Sequence, residues 1–181
     1  MRLFIGVPLP PAVRYSLREK GLELKENTSR CRLTAVENFH LTLRFLGETP
    51  PQALDVLERV LLVTAKNTHA FPLTISGWGS FPRGNEAIVW AGVSQGQAPL
   101  EQLYQELGKN LAKAGFPREP RPYHPHITIA RQARLQADLG HFSPIEEQVS
   151  IDTIALYHSH RDDKNKLVYE VLKQQPLSAT S

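Results

Sequence analysis

The chain has 181 residues, 41% of them hydrophobic and 22% charged, the balance of a soluble globular protein with room for one good core or two small lobes sharing one. Lysine and arginine total 21 against 18 acidic residues, and the resulting net charge of +3 is a mild basic excess that suits a polyanionic ligand without requiring one. A single cysteine, Cys31, excludes an internal disulfide scaffold, and no apolar run approaches the roughly 18 residues of a membrane span.

Pro8, Pro10 and Pro11 interrupt any secretory pattern at the start, so a cytoplasmic protein is expected. Arg2 to Val7 reads as a strand. Pro10 and Pro11 suit a helix start, and Val13, Leu17 and Leu22 or Leu24 predict a helix from about Pro11 to Lys25. A short strand near Arg32 to Thr34, in which Cys31 is expected as a small buried neighbour, leads to a strand over Phe39 to Leu46 that Gly47 ends. Thr49 is a candidate cap for the next helix, with Leu54, Leu57, Leu61 and Leu62 as its apolar stripe and an end before His69. Phe71 to Trp78 and Ala87 to Val93 predict a hairpin, reversing through Phe81 to Asn85.

The second half begins after Gly96. Leu100, Leu103, Leu107 and Leu111 mark a helix from about Pro99 to Ala114, with Gly115 just past its end. A proline-rich approach leads to a strand over His124 to Arg131. Arg134 to Leu139 is expected as a short helical turn, Val149 to His158 and Leu167 to Lys173 as a final hairpin, and Pro176 to Ser181 as a frayed end. Strands separated by helices, with hairpins closing each half, predict an α+β fold of two similar lobes. No glycine-rich phosphate loop is present.

One pattern occurs twice, His40-Leu41-Thr42-Leu43 and His126-Ile127-Thr128-Ile129. On a strand, residues two apart share a face, so each copy offers a histidine and a hydroxyl on one side and two aliphatic residues on the other. A single copy would read as an ordinary amphipathic strand. Two copies, 126 − 40 = 86 positions apart, suggest an internal duplication with a ligand site at its pseudo-symmetric interface.

With their surroundings, Asn38 to Glu48 and Arg121 to Arg131, and with the opening Arg2-Leu3-Phe4-Ile5-Gly6-Val7-Pro8, these motifs resemble the two-histidine (2H) phosphoesterase superfamily. Within it the chain is similar to the bacterial and archaeal RNA 2′,3′-cyclic phosphodiesterases, also known as 2′-5′ RNA ligases. The resemblance spans nearly the whole chain as a single domain, with one lobe centred on residues 39–46 and the other on 124–131. It implies two antiparallel sheets with outer helices, facing each other across a central cleft lined by the motif strands. It further implies His40 as proton donor, His126 as proton acceptor and Arg131 as a phosphate or nucleotide contact, in a monomer that takes RNA ends or nucleotides bearing a 2′,3′-cyclic phosphate and needs no cofactor.

The residues themselves support such chemistry. An imidazole with an ordinary pKa of about 6.5 serves as base or acid near neutral pH, and opening a cyclic phosphodiester by in-line attack needs one of each on opposite sides of phosphorus. Thr42 and Thr128 can donate hydroxyl hydrogen bonds to the phosphoryl oxygens. Arg131 has the wrong strand parity relative to His126 and reaches a cleft only if the strand bends, bulges or ends there. Arg44 shares parity with His40, Tyr123 and Phe45 can each stack on a base, and for Phe45 core packing is the default expectation. Two other readings compete: a metal-dependent phosphoesterase using the His124/His126 or His158/His160 pairs, and a non-catalytic binder of RNA ends. The motifs hold no carboxylate, which weighs against the first, and both are intact, which weighs against the second. His158 and His160 are otherwise expected as surface residues beside the final turn.

Overall fold

The alternating segments form two antiparallel sheets in the computed structural model, which describes residues 1–179. In chain order the elements are β1 (Arg2–Pro8), α1 (Pro11–Glu26), β2 (Arg32–Leu33), β3 (His40–Glu48), α2 (Leu54–Lys66), β4 (Phe71–Arg83), β5 (Glu86–Gln95), α3 (Gln97–Lys113), β6 (Ile127–Ala133), β7 (Glu146–Ile151), β8 (Thr153–Arg161) and β9 (Leu167–Pro176). One sheet has the order β3-β1-β8-β9 and the other β2-β6-β5-β4-β7. The fold is α+β, as expected, with one motif at β3 of the first sheet and the other at β6 of the second.

The helices are held by their apolar stripes. Helix α1 buries Val13, Leu17, Gly21 and Leu24 and lies on β2 and β6. Gly21 lets it approach closely, because a Cβ there would stand 3.3 Å from Leu33 and 3.4 Å from Ile129. Helix α2 rests on β8 and β9 with α3 beside it, and the buried Asn110 amide donates to the Thr64 hydroxyl at 3.0 Å to join the two helices. One contiguous core reaches both sheets and all three helices.

Several local expectations are corrected. Thr49 does not cap a helix; its hydroxyl donates to the Gly47 carbonyl, and α2 is entered through a 3₁₀ turn at Pro51–Ala53. Gly47 does not end β3 but sits within it at φ +71. Leu62 is 52% exposed, and Val60 takes its place in the buried stripe. The expected turn over Arg134 to Leu139 is helical only at its last residue: Leu135 bridges back to Thr28, and the 3₁₀ turn falls later, at Leu139–His141. Val149 to His158 is two strands rather than one, broken at Asp152, so that β7 pairs with β4 and β8 with β1 in the opposite sheet. The end is not frayed at Pro176 to Ser178, since Leu177 is buried and Ser178 bridges to His69; Thr180 and Ser181 lie outside the described residues.

The lobes are also not the two halves of the chain. The four-stranded sheet takes β1 and β3 from the first half and β8 and β9 from the second, while β2, β4 and β5 join the sheet of the second motif.

Candidate active site

A cleft of about 880 Å³ opens between the sheets and is lined by His40 and Thr42 from one side and by His126, Thr128 and Arg131 from the other. The five residues singled out in the sequence thus share one site. Behind them, Leu41, Leu43, Ile127 and Ile129 are buried in the core, which fixes the face each motif presents.

Both histidines are held in the same way. His40 Nδ1 lies 2.7 Å from the carbonyl of Asn38, and His126 Nδ1 lies 2.7 Å from the carbonyl of His124. A carbonyl only accepts, so each Nδ1 carries the proton and donates it, and each Nε2 is left with its lone pair. His40 Nε2 is 2.7 Å from Thr42 Oγ1, so in the neutral ring the threonine hydroxyl donates to it. The threonine carbonyls are matched too, Thr42 O accepting from the Tyr123 hydroxyl at 2.8 Å and Thr128 O from the Thr34 hydroxyl at 2.9 Å.

Each imidazole also rests on aromatic rings. Phe4 and Tyr169 lie 4.8 and 5.1 Å from His40, centroid to centroid. Phe81 meets His126 edge-on at 5.0 Å, with Trp90 at 6.1 Å. Glycines make room for both floors. A Cβ on Gly6 would come within 2.8 Å of the Leu41 carbonyl and 3.4 Å of the His40 ring, and one on Gly79 would overlap the Trp90 ring at 2.1 Å. These floors carry no recognisable motif; the only sequence signal for them is a glycine inside a strand, which marks close approach of neighbours.

Electrostatics hold both rings neutral. Burial pushes the His40 imidazole down to about 4, opposed by the Asn38 hydrogen bond and reinforced by the charges of Arg131 and His126. His126 is lowered for the same leading reason, burial, with His124 and Arg131 adding to it and the bond to the His124 carbonyl opposing it.

Arg131 reaches the cleft through a bulge. The pairing of β5 with β6 slips between Thr128 and Ala130, so that Ile129 and Ala130 are both buried and Arg131 falls on the side of His126 and Thr128. The first motif slips at the matching place. Gly6 pairs with Thr42 and Ile5 with Arg44, which leaves Leu43 as the extra residue. The consequence there is a correction: Phe45 is not in the core but 59% exposed at the cleft, 5.9 Å from Phe4. Tyr123 also lines the cleft, and one face of its ring is covered by Tyr104 at 4.2 Å. Arg44 lines the cleft and donates to the Pro117 carbonyl. Residues His124 to His126 precede β6 rather than opening its ladder, since Pro125 offers no amide donor.

Sequence reasoning missed Asn38. Its side chain is buried, and its amide donates to the Leu167 carbonyl at 2.9 Å, tying the residue that orients His40 to β9. The cleft is also strongly basic: Arg2, Arg44, Arg83, Arg121, Arg131 and Arg161 line it, against Glu119 as the one acidic residue.

Two imidazoles fixed alike line one basic cleft, each with a hydroxyl two residues on, the kind of arrangement that proton transfer at an anionic ligand calls for. Residues 23–163 match the 2′-5′ RNA ligase superfamily. An RNA 2′,3′-cyclic phosphodiesterase of Thermotoga maritima is 32% identical over 167 residues, covering 88% of this chain and 87% of its own length. That of Escherichia coli is 33% identical over 133 residues, covering 73% and 72%. In the relatives from Geobacillus stearothermophilus and Aeropyrum pernix the matched stretch spans 56% and 53% of the protein, about half their length. Among solved structures, E. coli LigT complexed with 3′-AMP is 28% identical with a TM-score of 0.81 over 97% of both chains, and TT0787 of Thermus thermophilus is 26% identical with a TM-score of 0.83 over the whole of both. The chain belongs to the 2′-5′ RNA ligase superfamily.

Proposed function

We propose that this chain hydrolyses RNA 2′,3′-cyclic phosphate ends to 2′-phosphomonoesters without a metal. The observation that carries the reading is the matched fixing of His40 and His126 by carbonyls two residues earlier, which leaves two Nε2 atoms for proton transfer. His126 takes a proton from the attacking water, and His40 gives one to the departing 3′ oxygen, so the P–O3′ bond breaks as the new P–O bond forms. The assignment of donor and acceptor, and of the oxygen that leaves, follows the family resemblance. Thr42, Thr128 and Arg131 hold the phosphoryl oxygens, and before substrate arrives the Thr42 hydroxyl is engaged by His40. With protonation roles exchanged, the same groups run a weak 2′-5′ joining reaction. All the named groups belong to one chain, so a monomer suffices.

Binding itself prepares the acid. The phosphodiester is an anion, and its pairing with Arg131 offsets a charge that depresses both histidines, which favours their protonation. The metal-dependent alternative is less well supported. Among the described residues the one group of three metal-type donors is His158, His160 and Glu170, which includes neither His40 nor His126.

The test is hydrolysis of a short RNA ending in a 2′,3′-cyclic phosphate, in excess EDTA. Activity should survive the chelator and fall by about 10²- to 10⁴-fold in both His40→Ala and His126→Ala. Loss in EDTA that zinc or manganese restores would overturn the metal-free mechanism, and tight binding with no turnover would make the chain a binder of RNA ends.

A further inference from the structure

At the edge of the cleft, which His160 helps to line, three donor side chains of β8 and β9 converge that the proposed reaction does not use. His158 and His160 are two apart on β8 and therefore share a face. Glu170 is the residue paired with His158 across the β8–β9 ladder. Its carboxylate Oε2 lies 3.1 Å from His160 Nε2 and 3.8 Å from His158 Nδ1, and all three donor atoms fall within 4.8 Å of one another. Side-chain exposures of 23%, 34% and 54% leave the group open to solvent ions.

We propose that His158, His160 and Glu170 form a binding site for a divalent transition-metal ion, separate from the catalytic histidines. The donor set is two imidazole nitrogens and one carboxylate oxygen, a borderline set suited to zinc and its first-row neighbours. Tetrahedral zinc with bonds of about 2.0 to 2.2 Å places its ligand atoms roughly 3.3 Å apart, close to the two His–Glu separations found here. The metal replaces the shared proton between His160 and Glu170, and water completes the coordination. The backbone needs no rearrangement, because two hydrogen-bonded strands already present all three donors.

The site has a structural consequence. It joins β8 to β9 next to Tyr157 and Tyr169, whose rings flank His40. Bound metal therefore clamps the ladder that carries the floor of His40, while taking no part in proton transfer.

The experiment uses the untagged full chain, stripped with EDTA and desalted, titrated with Co²⁺ by visible absorption and with Zn²⁺ by calorimetry. One equivalent should bind, with the absorption bands of a four- or five-coordinate site. Melting temperature should rise by about 5 to 10 °C at a hundredfold excess over Kd. Affinity should drop at least tenfold in His160→Ala and in Glu170→Gln, and stay unchanged in His126→Ala. A variant with altered circular dichroism is replaced by His158→Gln, a milder change on the same ladder. Absence of saturable binding, equal affinity in the ladder variants, or loss in His126→Ala would each overturn the proposal, leaving an ordinary His–Glu pair. RNA hydrolysis by the metal-free protein is read separately, so failure of either proposal is told apart from failure of the other.

Discussion

At the level of single residues, the two histidines are alike in what holds them and in what depresses their proton affinity. His40 is brought to about 4 and His126 below its ordinary 6.5, in both cases chiefly by burial. The productive form needs one ring protonated and one neutral. In the free protein, once pH exceeds both values, the doubly neutral form dominates, and the productive form falls by about tenfold per pH unit. The pH profile of kcat/KM, which reports the free protein, should therefore already be declining between pH 6.5 and 8, and that of kcat should lie to its alkaline side because the bound anion raises both rings. A kcat/KM plateau across that range would contradict the neutral resting state. Arg131 supplies a sharper check. Arg131→Gln removes a positive charge that disfavours both imidazolium ions, so NMR titration should show both pKa values rising while KM increases. His40, His126 and the two threonines were legible because their pattern is repeated, whereas Arg131 and Phe45 were not, since their direction depends on a one-residue slip against a partner strand whose identity only the fold supplies.

Among the elements, strands were easier to find than their partners. Apolar runs and alternation locate β1, β3 and β9 to within a few residues; in β3 burial follows the alternation, whereas β1 is buried along five successive residues. The same signal runs unbroken through Asp152 and so hides the passage from β7 in one sheet to β8 in the other. Pairing also explains the strand glycines. Gly6 and Gly79 occupy equivalent roles under the two motifs, one against the Leu41 carbonyl and the His40 ring, the other against the ring of Trp90. Alanine at either site forces a neighbour aside, at a cost of about 1 to 3 kcal/mol for overpacking. Gly6→Ala must also move the β3 backbone, so it should lower kcat by more than its loss of stability explains. Gly79→Ala displaces Trp90, and a shifted tryptophan emission spectrum of the folded protein should accompany its fall in activity. Unchanged emission and full activity in Gly79→Ala would show that the floor of His126 tolerates rearrangement.

For the molecule as a whole, sheet order decides how the protein unfolds. The chain passes between the sheets four times, from β1 to β2, β2 to β3, β3 to β4 and β7 to β8. The apparent duplication of the motif would suggest two halves that fold independently, yet a cut near Gly96 would strip β6 and β7 from one sheet and β8 and β9 from the other. The lobes are further bound by the Tyr123 hydroxyl on the Thr42 carbonyl and by the continuous core. A single cooperative transition is therefore expected. The two tryptophans make this testable, because Trp78 and Trp90 both lie in the five-stranded sheet, on β4 and β5, whereas far-ultraviolet circular dichroism reports every helix and strand. Urea unfolding followed by fluorescence and by dichroism should give the same midpoint and the same slope. Separate midpoints would mean that the four-stranded sheet, with His40, can melt while the sheet of His126 persists. The cleft would then depend on an equilibrium between lobes rather than on one interlocked fold.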